Sequence, residues 1–179
     1  MKTLPATLLP LALLLSLAAC KKDEDKEPSK TDNLTNTTWK DSQDFLQLNG
    51  ATGTRATAAG SVNTYQFARD GKLTVTPPSG PASSGTWAFA SNETQLVINN
   101  GSTSKTYEVF ELSKDKVSFG YRYNQTQVQQ AVAGGGGSEG QLIRGLILSA
   151  GGYTFPAGTP TTPAAQLTSI QWGQTVVPK

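Results

Sequence analysis

A chain of 179 residues with a formal net charge of +2 is one domain's worth of polypeptide plus accessory segments, and its near-neutral balance gives no footprint for nucleic acid. It has no His and one Cys, which removes the commonest general base and metal ligand and leaves no intramolecular disulfide or cysteine-rich metal site. Ser-His-Asp and Cys-His catalysis are thereby excluded as such, and we expect neither an enzyme nor a resident cofactor.

The first residues read as a targeting segment. Lys2 gives a positive start, and Leu8 to Leu17 is an apolar run too short to span a membrane as a stable helix. The run ends in Leu17-Ala18-Ala19-Cys20, a tetrapeptide similar to the lipobox of bacterial lipoproteins. Small residues before the scissile bond let an intramembrane peptidase grip the backbone. The resemblance implies a signal peptide over 1–19, with Leu17, Ala18 and Ala19 as the cleavage signal. It also implies acyl chains on Cys20 that make the membrane this chain's partner. Each buried CH₂ adds about 0.8 kcal/mol and stable anchoring takes two signals, which several acyl chains supply.

Residues 20–33 form a charged tether. KKDEDKEPSKTD, from Lys21 to Asp32, is charged at most positions and has no apolar residue but Pro28, so it has nothing to bury. Lys21 directly after Cys20, in place of Asp, is similar to the outer-membrane sorting pattern of enteric lipoproteins. Asp23-Glu24-Asp25 resembles the surface-export signal of Bacteroidota lipoproteins; the other reading of this charge run is a plain solvated spacer.

From Thr37 onward the apolar side chains recur at every second position, the mark of strands with one buried face. Tyr65 and Phe67 alternate with polar neighbours, then Arg69-Asp70-Gly71-Lys72 turns the chain into Leu73 and Val75. Trp87 and Phe89 follow, then Leu96 and Ile98. Asn99-Asn100-Gly101-Ser102 turns the chain into Tyr107 and Val109, and Val117, Phe119, Tyr121 and Tyr123 continue the series. Asp-Gly and Asn-Gly supply the positive φ that tight hairpins need. Between the first two strands, Phe45, Leu46 and Leu48 suggest a short strand or a lid over one barrel end, and Gly50 to Gly60 a mobile loop. Asn124 to Gly140, with Gly134 to Gly137, reads as a second flexible insertion. It lacks the Lys-Ser/Thr ending and the strand-to-helix setting of a phosphate loop. Gln141 to Ser149 places Leu142, Leu146 and Leu148 on one face and Ile143 and Ile147 on the other, which predicts a strand buried on both sides. Strands near 37–40, 62–68, 72–76, 84–90, 95–99, 104–112, 116–123 and 141–149 predict an all-β antiparallel up-and-down meander closing into an eight-stranded barrel over 34–149. Residues 150–179 form a Pro/Thr/Gly-rich C-terminal extension, in which Ile170, Trp172, Val176 and Val177 suggest an edge strand or packing along the outside.

Leu34-x-x-Thr37-x-Trp39, Tyr65-x-Phe67-x-x-Asp70-Gly71-x-Leu73, Ser84-Gly85-Thr86-Trp87 and Tyr107-x-Val109-x-Glu111-Leu112-x-x-Asp115-Lys116-Val117 together resemble the lipocalin-like domain of many bacterial lipoproteins, over roughly residues 34–123. Lipocalins carry Gly-x-Trp on the first strand, with an Arg from a late strand over the Trp. Here Thr37-x-Trp39 stands in that place, and Arg144 is the candidate Arg.

The aromatics Trp39, Tyr65, Phe67, Trp87, Phe89, Tyr107, Phe119 and Tyr121 fall on alternating positions, so many of them are expected to point inward. They either line a cup for a small apolar ligand or fill a packed core. Asp41 and Asp44 are expected in a loop, and Glu108 and Glu111 on opposite faces of one strand, in both cases as solvated surface. Asn-x-Ser/Thr triplets at Asn33, Asn36, Asn92, Asn100 and Asn124 are read as polar turns. The expected function is a non-catalytic, lipid-anchored barrel in the outer membrane that binds a small apolar ligand. The alternative is a filled barrel that contacts another envelope protein.

Overall fold

A computed structural model describes residues 27–159 and 162–179. The signal segment with Leu17, Ala18, Ala19 and Cys20, and the acidic cluster behind it, lie outside the described residues. The described chain opens with a short helix, α1 (Lys30–Thr35), set by a capping box. The Ser29 hydroxyl accepts from the Asp32 amide, and the Asp32 carboxylate accepts from the Ser29 amide at 3.1 Å. The same carboxylate holds the Arg69 guanidinium, and the Ser29 hydroxyl followed by Arg69 keeps it below the usual carboxylate range. Leu34 of this helix is fully buried.

Nine strands follow: β1 (Thr38–Leu48), β2 (Ala51–Ala56), β3 (Thr64–Phe67), β4 (Lys72–Thr76), β5 (Ser83–Ala90), β6 (Gln95–Asn100), β7 (Thr103–Leu112), β8 (Val117–Tyr123) and, after two helices, β9 (Ile170–Pro178). All pairings are antiparallel, in the order β1-β3-β4-β5-β6-β7-β8-β9, and β9 pairs back onto β1 to close an eight-stranded up-and-down barrel of lipocalin-like form. Closure leaves no free edge in the ring. β2 stands outside it, paired with the far half of β1. The Asp70-Gly71 and Asn100-Gly101 turns form as expected, with Gly71 at φ 84° and Gly101 at φ 60°.

The closing strand is a correction to the sequence reading. Residues 141–149 are not a strand but most of α3 (Gly137–Ser149), and the ring is completed by β9 from the C-terminal segment. Ile143, Leu146, Ile147 and Ala150 share one helical face, while Leu142 and Leu148 point away and are 41% and 86% exposed. A dense apolar run satisfies both periods over so few residues, and the helical one won. The expectation of an edge strand or of packing along the outside for Ile170, Trp172, Val176 and Val177 is thereby corrected too, although Gln174 interrupts the apolar alternation of β9. That residue lies on the interior face, opposite Phe119 and Asp44.

The insertion expected to be flexible is ordered. It forms α2 (Gln125–Val132), where Asn124 is the N-cap and shares a capping box with Gln127. The turn into α3 carries Gly134, Gly136 and Gly137 at φ 89°, 82° and 56°, conformations that a Cβ would strain. The segment after Leu48 also departs from the expected loop. Asn49 and Gly50, at φ 47° and 88°, have the two positive φ values of a type I′ turn and return the chain as β2.

The registers put one set of side chains inside. At one end Leu34, Trp39, Phe67, Leu73, Trp87, Leu96, Val117, Phe119 and Val176 pack into one buried core. Trp39 Nε1 donates to the Leu34 carbonyl at 2.8 Å, so α1 plugs this closed end. At the other end the same interior face continues as Leu46, Tyr123 and Ile170. There Val128 and Ala131 of α2, Ile143 and Leu146 of α3, and Tyr153 and Leu167 pack on it as a cap. The barrel therefore has a plugged end and a capped mouth.

Candidate functional site

All eight aromatics singled out in the sequence face the barrel interior, but they do not form one cup. Trp39, Phe67, Trp87 and Phe119 are buried in the closed-end core, and Trp87 is further committed by an Nε1 bond to the Ala68 carbonyl at 2.9 Å. Phe89 packs edge-on against Trp87 at 5.5 Å and belongs to the same packing. Tyr65 sits beside Asp41, and burial, then the Asp41 charge, pushes its phenol well above the usual range. Tyr107 and Tyr121 lie toward the mouth with their centroids 5.2 Å apart.

The carboxylates also move from their expected places. Asp41 and Asp44 lie on β1, on its interior face, either side of a bulge. Asp41 Oδ2 accepts from the Asn63 backbone at 2.9 Å and its side-chain amide at 2.8 Å, while Oδ1 is buried without a partner. Asp44 pairs with Arg55 at 2.8 Å. Glu108 and Glu111 are not on opposite faces. A bulge between Val109 and Glu111 sets them opposite Gly120 and Ser118, on one outer face, where they pair with Arg122 and Lys116. Arg144 does not reach Trp39. From α3 it donates to the carbonyls of Ala131 at 2.8 Å and Gly135 at 3.2 Å, tying the two cap helices together.

A mainly apolar recess opens at the mouth, between the β1–β2 hairpin, the end of α3 and the segment leading to β9. Its volume is about 390 Å³, within the range of small-molecule sites, and Leu48, Ala51, Ile147, Tyr153, Phe155 and Leu167 line it. The local sequence builds each wall. Thr54 and Thr154 exchange backbone bonds at 3.0 and 2.8 Å, which pins residues 153–155 to β2. Gly53 makes room for the Phe155 ring, since a Cβ there would lie 2.7 Å from it. Asn49 accepts from the Thr168 and Ser169 amides at 2.7 and 3.2 Å and donates to the Gln166 carbonyl at 3.1 Å, which fixes the wall carrying Leu167. Arg55 lies over the Tyr153 ring, 4.8 Å from its centroid, and Trp172 Nε1 donates to the Tyr153 hydroxyl at 3.2 Å.

None of these six lining residues was singled out as a ligand contact in the sequence. The signal that points to them is Asn49-Gly50 between apolar alternations, a hairpin sign that places Leu48 and Ala51 opposite each other. Searched against models of protein families the chain matches none, and no curated protein matches it either.

Proposed function

We propose that this protein is a lipoprotein of the bacterial outer membrane, anchored through acyl chains on Cys20, whose lipocalin-like barrel binds a small apolar ligand without catalysing a reaction. The apolar recess under the cap carries the ligand-binding part of this reading. It is roomy enough for a small molecule, whereas the closed end is filled by its own side chains. The ligand seat is therefore taken to be Leu48, Ile147, Tyr153, Phe155 and Leu167, and not the aromatic core around Trp87. The lipobox and the charged tether carry the anchoring part, including exposure at the cell surface.

An environment-sensitive apolar dye tests the recess. Saturable uptake is expected, and Ala51→Phe, which fills the recess from a strand position, is expected to reduce it at least about tenfold without unfolding the barrel. Uptake unaffected by Ala51→Phe refutes the assignment. Acyl labelling in the producing cell, lost in Cys20→Ser, tests the anchor.

A second reading rests on the cap's outer surface. Leu148 and Leu142 stand out from α3 into solvent. They suit a contact with another envelope protein, and a pulldown abolished by Leu148→Glu with dye uptake intact favours that role.

A further inference from the structure

A second recess lies inside the ring where β7, β8 and β9 meet, and it shares no lining residue with the one under the cap. Its volume is about 120 Å³. An apolar void of about 150 Å³ accepts benzene, so this smaller space takes one six-membered ring at most. The walls are aromatic. Tyr121 and Trp172 lie nearly parallel, 9° apart with centroids separated by 6.0 Å, and Tyr107 packs against both Tyr121 and Phe119. A planar ring finds stacking and edge contacts here that an alkyl chain does not.

The polar groups at the rim decide the ligand's charge. Asp44, Lys105 and Gln174 border the recess. Asp44 is already neutralised by Arg55 at 2.8 Å. Lys105 is exposed and has no carboxylate within ion-pair distance among the described residues. Asp41 does not line the recess, and its unpartnered oxygen is sealed from solvent. The Tyr107 phenol, pushed up to about 12 by burial and then by Tyr121, stays neutral and is turned toward the Tyr121 hydroxyl, so it adds no charge to the recess. One ammonium without a carboxylate partner among the described residues, beside an aromatic wall, complements an anion on a ring.

We propose that this recess binds a small aromatic carboxylate, with its ring against Tyr121 and Trp172 and its carboxylate toward Lys105. Calorimetric titration of the full chain with benzoate, benzyl alcohol and benzyltrimethylammonium tests it. Benzoate is expected to bind at one site, about threefold to fivefold tighter than benzyl alcohol at low salt, the range of an exposed ion pair. Lys105→Ala is expected to erase that preference, and so is high salt. Trp172→Phe, which keeps a ring in place, is expected to weaken both ligands modestly, and Ala51→Phe to weaken neither. No saturable benzoate binding, an equal or stronger preference for the cation, or a preference that survives Lys105→Ala would each overturn the proposal. Because the dye reports the other recess, its result stands apart from this one.

Discussion

Leu34→Ala tests whether α1 is the plug that closes the barrel. Leu34 is the one buried residue of α1, and it is fully buried against the closed-end core. The substitution removes three carbons, about 2.4 kcal/mol at about 0.8 kcal/mol each. A cavity term adds to this, but a helix this short can settle into the gap, so a cost of about 2.5–3.5 kcal/mol is expected. With a urea m-value of about 2 kcal/mol/M, the middle of the usual range, the unfolding midpoint should fall by roughly 1–2 M. The second readout is local. Trp39 Nε1 rests on the Leu34 carbonyl, so loosening α1 should raise acrylamide quenching of Trp39 below the unfolding transition. A midpoint within about 0.3 M of the parent, with quenching unchanged, refutes the plug and with it the account of a filled closed end.

Three further outcomes follow from the geometry. Burial above all pushes the Tyr107 and Tyr123 phenols up to about 12, while unfolded tyrosines ionise near about 10. In that window the unfolded chain binds fewer protons, so stability is full below about pH 10 and falls as pH rises toward about 12. Urea midpoints between pH 9 and 11 and the tyrosinate absorbance check it, and a midpoint rising with pH contradicts it. Gly120→Ala should cost about 3 kcal/mol or more, because its Cβ would lie 2.1 Å from the Trp172 carbonyl oxygen, a backbone atom with no rotamer to yield. Thermal melts read this, and a change below 1 kcal/mol argues against the close β8–β9 approach. Asn49→Ala removes the side chain that holds residues 166–169 and places Ala at φ 47°, so a loss of about 1–3 kcal/mol is expected with faster amide exchange at Thr168 and Ser169.

The meander was legible because its information is local. Tyr65-x-Phe67, Leu73-x-Val75, Trp87-x-Phe89 and Leu96-x-Ile98 alternate cleanly, and Gly71 and Gly101 sit where the turns require them. Closure was not legible, because what pairs with β1 is a choice among distant segments. Residues 141–149 are richer in apolar side chains than 170–178, yet the glycines before Ser138 and the face shared by Ile143, Leu146 and Ile147 start and hold a helix. The inward direction of the eight aromatics followed from alternation alone. Which of them still borders open space did not, since that depends on whether the helices and α1 fill the ends. Trp39 and Trp87 are sealed by α1 and the Ala68 turn, whereas Tyr107 and Tyr121 border the open space between β7, β8 and β9.

α1 lies against the β3–β4 and β5–β6 turns through Arg69 and Glu93, and the Lys179 amide bonds the Thr38 carbonyl beside it. Residues 27–30 and the last residue thus leave from the same pole of the molecule, opposite the recess under α3. Whatever is fastened at residues 27–30, the opening lies away from that point, at the far side of the barrel's length. A fusion after Lys179 therefore puts its cargo behind the vessel and leaves the opening free.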